Sequence, residues 1–193
     1  MLDKIQEFTQ ELEYIKNPYV KQFAEDAIRL LPDYFWIIPS SSSGKYHPAY
    51  GLGEGGLVNH VRACVRFAVE CFRLEWYSSL FTDDQKDLIL VALLLHDGAK
   101  SGIPKKEHTQ FNHPILMTAY LRDQDNLKNI ISDEYFDFIL NGIASHMGAW
   151  NVRDGIEVMS KPKTSAQKLI HFVDYVCSRK MFEVNFDAEI SRS

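Results

Sequence analysis

Apolar positions along the chain recur mostly at helical intervals. Val58, Val61, Val65, Ala68 and Phe72 form one stripe, and Cys64, Phe67, Cys71 and Leu74 nearly close the circle. This pattern predicts a helix from Leu57 that is buried on most sides. The next run, Leu88 to Leu95, is eight apolar residues without a break, too short for periodicity to separate strand from helix. Thr82-Asp-Asp-Gln85 ahead of it is a capping box, which favours a central helix ending near His96. Asn17-Pro18 opens a helix to about Leu31, and His113-Pro114 opens another. Ser132 caps one running to about His146. A second capping box, Thr164-Ser-Ala-Gln167, opens a helix through Asp174 to about Met181. With no repeats and no convincing series of strands, the expected fold is all-α, a compact bundle.

One long segment breaks the pattern. LPDYFWIIPSSSSGKYHPAYGLGEGG is rich in Pro, Ser and Gly and reads as a long loop, of a length that is usually functional or disordered. It contains Gly51-Leu-Gly53-Glu-Gly-Gly56, a match to GxGxxG. The dinucleotide fingerprint needs a preceding strand and a βαβ unit, which the pattern does not offer. These glycines are expected instead to let the backbone pass close to something before the helix.

At 193 residues the chain fits a single domain: a helical lead over 1–56, a core over 57–181 and a short tail over 182–193. The apolar fraction of 46% and charged fraction of 24% are those of an ordinary globular protein. No apolar run approaches the ~20 residues of a membrane span, and the N-terminal residues lack signal-peptide features. Cys64, Cys71 and Cys177, an odd number with no CxxC, read as reduced core thiols and a cytoplasmic setting. The net charge of −5 argues against broad adhesion to nucleic acid, although Lys100, Lys105 and Lys106, then Lys161, Lys163 and Lys168, then Arg179 and Lys180 form local basic clusters.

The candidate chemistry lies where ligand-type residues meet these apolar faces. His60 has Leu57 and Cys64 on its side of the helix, His146 has Ile139 and Ile143, and Asp174 has Ile170 and Cys177. His96-Asp97 ends the central helix. Any one of these could be a hydrogen-bonded core residue; together they would each need a buried partner, and the sequence offers few candidates. Imidazole with carboxylate suits Mn, Fe, Ni, Co or Zn, and the lack of thiolate clusters argues against structural zinc.

His60, His96-Asp97 and Asp174, with Lys100 closing HDGAK, resemble the HD-domain metal-dependent phosphohydrolase superfamily, and His113 and His146 fit its two-metal branch. YHPAYGLGEGGLVNH, Ser145-His146-Met147-Gly148 and LIHFVDYVCSRK are most similar to the HD domains of bacterial 3′-to-5′ exoribonucleases and conjugative relaxases. Met147 stands where many relatives have a second histidine. The resemblance implies an HD helical bundle with its metal site between central helices, two divalent ions with Mn foremost, and Asp97 bridging them. His60, His96 and Asp174 would hold one ion, and His113 and His146 the other. A bridging hydroxide would attack a phosphate ester of a nucleotide or a nucleic-acid 3′ end. Lys100 is then a candidate phosphate partner, its alternative being a helix-end charge on the macrodipole. His47 and Tyr46 could line the pocket or protonate the leaving group, their alternative being loop packing. Trp150 could stack on a base. His108 and His171 read as non-ligands.

Other functions share this ligand order: a mixed-valent di-iron oxygenase, or a non-catalytic nucleic-acid-associated module. A partner protein or a second copy of the chain could supply further grip. No membrane role is expected.

Overall fold

The computed structural model describes residues 3–186; residues 187–193 of the expected tail lie outside them. The described chain is mostly helical, in the order α1 (Thr9–Leu12), α2 (Pro18–Arg29), α3 (Gly56–Arg73), α4 (Glu75–Ser78), α5 (Asp83–Leu95), α6 (His113–Arg122), α7 (Asp133–Ser145) and α8 (Ser165–Cys177). The starts follow the caps. The Asn17 side chain accepts from the N–H groups of Tyr19 and Val20, Ser132 from Tyr135, and both capping boxes, Thr82 with Gln85 and Thr164 with Gln167, close reciprocally.

Helix α5 is the axis of the bundle. Every residue from Leu88 to Leu95 is buried, because α2, α3, α7 and α8 pack around it. A helix apolar all round is stable only in such a sleeve. Its polar N-terminal end is used too: the Asp87 carboxylate accepts the N–H groups of Lys16 at 2.9 Å and Asn17 at 2.7 Å, tying the start of α2 to the core. The lead is anchored a second time by buried Glu11, whose carboxylate takes Arg66 Nε of α3 at 2.7 Å.

The helix ends depart from expectation more than the starts. Helix α8 stops at Cys177, short of Met181: the Ser178 hydroxyl turns back to donate to the Tyr175 carbonyl at 2.7 Å, and the next amide, Arg179, bonds only three residues back, to Val176, at 3.0 Å. One small hairpin was not anticipated. Val152–Arg153 (β1) pairs antiparallel with Ile156–Glu157 (β2) around Asp154 and Gly155, at φ +52° and +80°. These are the two left-handed positions of the tightest hairpin turns.

The long loop between α2 and α3 is ordered. Tyr34, Phe35 and Trp36 form a turn of 3-10 helix packed into the core. Farther on, both the N–H and the hydroxyl of buried Ser40 bond the Gly51 carbonyl, at 2.9 and 2.8 Å, which pinches the loop shut at its base. The glycine series does bring two backbones together: a Cβ on Gly56 would strike the Gly51 carbonyl and come within 3.2 Å of Pro39 Cα. No strand precedes it among the described residues, so the nucleotide-fingerprint match is incidental.

Candidate metal centre

Six side chains from five helices and their ends converge on one point. His60 comes from α3, His96 caps the end of α5, Asp97 follows it, His113 opens α6, His146 caps α7, and Asp174 comes from α8. All are buried except Asp174, whose side chain is 20% exposed toward the cleft above.

Three of the four histidines are aimed by the same local device. Nδ1 of His96 lies 2.7 Å from the carbonyl oxygen of Leu93, that of His113 2.8 Å from Gln110, and that of His146 2.8 Å from Ile143. A carbonyl only accepts, so each Nδ1 carries the proton and donates, and each Nε2 presents a lone pair. This is the orientation that outer hydrogen bonds impose on metal-binding imidazoles.

The Nε2 atoms meet two carboxylates in two groups. Around Asp97 Oδ2 and Asp174 Oδ1 stand His60 Nε2, at 3.8 and 3.1 Å, and His96 Nε2, at 3.5 and 3.6 Å. Around Asp97 Oδ1 stand His113 Nε2 at 2.9 Å and His146 Nε2 at 3.8 Å, the two nitrogens 3.1 Å apart. A cation with bonds of about 2.1 Å separates its ligands by about 3.0 Å in an octahedron and about 3.4 Å in a tetrahedron. Both groups have the spacing of a coordination shell. His96 Nε2 is buried with no hydrogen-bond partner. His113 and His146 face each other lone pair to lone pair, an arrangement that repels unless a proton or cation lies between them. The donors therefore fit a divalent metal.

Electrostatics point the same way. Burial opposes ionisation of Asp97, but Lys100, His96 and His113 outweigh it and hold its carboxyl well below the usual range. Asp174 is likewise depressed, by His60 and His96 against its burial. Burial works against a charged His60, but its hydrogen bond to the Asp174 carboxylate and the charge of that carboxylate, with the Cys64 sulfur close by, raise it above the ordinary imidazole value, to about 9 if the sulfur is ionised. His146 is pushed down to about 3 by burial and by its neighbours His96 and His113.

Lys100 lines the cleft and pairs directly with Asp97 Oδ2. His47 lines it too, its ring 6.2 Å from that of His60. Burial and the nearby His60 and Lys100 lower His47 to about 4, which suits a neutral lining group better than a proton donor. Tyr46 stands outside the cleft lining, its ring 5.8 Å from Cζ of Arg179. His108 is exposed beside Glu107. His171 also stands apart from the two groups, its Nδ1 donating to the His146 carbonyl at 2.7 Å.

One cluster member was not singled out from the sequence. Cys64 offers its sulfur to a set with His60, His96 and Asp174 in which all ligand atoms lie within 4.8 Å; His96, Asp97 and His146 form a second such set. Burial keeps the Cys64 thiol protonated, so it is a neighbour of the site more than a charged donor. The cleft above measures about 340 Å³ and is also lined by Trp150, Tyr175 and Arg179.

The HD-domain family model matches residues 57–178, a span that contains all six side chains. The chain belongs to the HD-domain family, whose members are usually metal-dependent phosphohydrolases. No curated protein and no solved structure matches it. No helix among the described residues is long and apolar enough to cross a membrane.

Proposed function

We propose that this protein is a two-metal phosphoric-ester hydrolase acting on a nucleotide or a nucleic-acid 3′ end. The observation that carries this is the division of Asp97: Oδ2 faces His60 and His96, while Oδ1 faces His113 and His146. One carboxylate shared between two donor sets suits a pair of ions; the mixed imidazole and carboxylate donors admit Mn, Fe, Ni, Co or Zn, and Mn is the first to be tried. Such ions supply Lewis-acid charge at a phosphoryl group and make water nucleophilic at neutral pH. The chain's own groups do the rest. His96, His113 and His146 are held in one tautomer by their backbone carbonyls, so no reorganisation is required of them. Lys100 stands in the cleft beside Asp97 and presents positive charge to a phosphate oxygen. His47 remains neutral and lines the wall. The likeness of YHPAYGLGEGGLVNH and of the segment around His146 to HD exoribonucleases and relaxases supports a nucleic-acid substrate.

The test is hydrolysis of a generic phosphodiester by the Mn²⁺-loaded protein. Turnover should fall by at least about 10²–10³-fold in Asp97→Ala. Absence of turnover in the wild type, with iron retained and oxygen consumed, would replace hydrolysis with oxidation.

A further inference from the structure

One rim of the cleft carries a different chemistry, and its meaning rests on the hydrolase proposal. Along this rim cations and aromatic rings alternate. Lys45 Nζ lies 5.1 Å from the centre of the Tyr46 ring, and Arg179 Cζ lies 5.8 Å from Tyr46 and 4.5 Å from Tyr175. Tyr175 in turn stacks on Trp150 at 5.5 Å with 15° between the planes. Tyr46, Trp150 and Tyr175 are 54, 50 and 39% exposed. Burial in the core therefore does not explain them, and neighbouring exposed rings mark a binding surface.

Local hydrogen bonds hold the ladder in place. Arg179 donates from Nη2 to Ser178 Oγ at 2.9 Å and from Nε to the Tyr175 carbonyl at 3.3 Å. Trp150 rides on a turn fixed from below by buried Asn151, whose Nδ2 donates to the Met159 carbonyl at 2.7 Å. Trp150, Tyr175 and Arg179 share one cleft with Asp97 and Lys100. Aromatic faces combined with cations that follow a phosphate backbone are the physical recipe for holding unpaired bases. Paired bases, stacked inside a duplex, do not offer these faces.

We propose that this rim is a base-stacking subsite for the unpaired end of a single-stranded nucleic acid. Trp150 takes the terminal base, Tyr175 supports the indole from beneath Arg179, and Arg179 takes a phosphate.

The experiment is fluorescence anisotropy of a labelled, phosphorothioate-linked single-stranded oligonucleotide titrated with Mn²⁺-loaded protein. Three controls accompany it: a blunt duplex, an abasic strand of equal length and a mononucleotide competitor. Trp150→Ala and Tyr175→Ala should each weaken single-strand binding about 5- to 100-fold, and Trp150→Phe should restore most of it. Abasic-strand binding should be unchanged by Trp150→Ala and reduced by Arg179→Gln. The duplex should bind more weakly than the single strand. Single-strand binding indifferent to both alanine variants, or equal losses on the abasic strand, would overturn the subsite. A mononucleotide binding as tightly as the strand would overturn the strand-end assignment. Trp150-dependent binding without any Asp97-dependent turnover would sink the hydrolase and leave the subsite standing; the reverse would sink the subsite alone.

Discussion

His60 differs from the other three histidines of the cluster. Its Nδ1 is buried without a partner, whereas theirs donate to carbonyls three residues back. Its ring is held instead at the Nε2 end, by Asp174 at 3.1 Å. The chain's own groups raise it above the usual value of about 6.5. The protonated ring therefore contributes stability below about pH 6.5, and that contribution is lost as pH rises through the raised value. A metal needs the same nitrogen unprotonated. Mn²⁺ affinity should then rise about tenfold per pH unit for each displaced proton as pH approaches the raised value from below. Titration calorimetry in buffers of different ionisation enthalpy should record proton release at pH 7; affinity independent of pH would exclude His60 as a donor. Cys64, one turn further along α3, escaped notice in the sequence because a thiol on an apolar stripe reads as core. Only the packing of α3 against α8 brings it into the set with Asp174.

The turn that follows α7 depends on Gly148. Its φ is +56°, and a Cβ there would collide with the imidazole of His171, the ring that donates to the His146 carbonyl. Gly148→Ala should therefore cost about 1–2 kcal/mol from the left-handed backbone alone, with a further loss from displacing His171. Chemical denaturation would measure the cost, and Mn²⁺ binding should weaken in parallel because His146 adjoins the disturbed turn. Asn17, Thr82, Ser132 and Thr164 announce their helices in the sequence, since a cap is a local bond between near neighbours. The C-terminal ends are less legible, as α8 shows: the amides of Arg179 and Phe182 bond only three residues back, and no glycine or proline marks the change in the sequence. The β1–β2 hairpin could have been seen, because Asp154-Gly155 between Val-Arg and Ile-Glu is a strong hairpin signal. Its strands were too short to register as a pattern.

Across the molecule, the six converging side chains are distributed over α3, α5, α6, α7 and α8, so a bound ion ties together elements far apart in sequence. Ion binding should stabilise the whole bundle by about 2.7 kcal/mol at a hundredfold excess over Kd, or roughly 5–10 °C in melting temperature for a chain of this size. Thermal unfolding with Mn²⁺ and with chelator would show it, and identical curves would argue against a metal centre. The inward faces and the order of the six residues were legible because helical spacing and family likeness both concern positions along the chain. Two features were not. The division of Asp97 between two donor sets depends on how α6 and α7 pack. The Trp150–Tyr175 stack joins residues from either side of the hairpin, and no local pattern connects them.

The loop pinched shut by Ser40 and Gly51 has a consequence for how such a protein can diversify. Its ends are fastened to each other, and between them it carries Ser41, Ser42 and His47 on the cleft wall and Tyr46 at the rim. The loop is in effect a cassette: its exposed residues Ser42, Ser43, Lys45 and Tyr46 can be exchanged without disturbing the helices that aim the histidines, whereas Tyr50, whose hydroxyl donates to the Cys177 carbonyl at 2.8 Å, is tied to α8. The cleft wall could be remodelled there at little risk to folding, while the core continues to hold the six converging side chains.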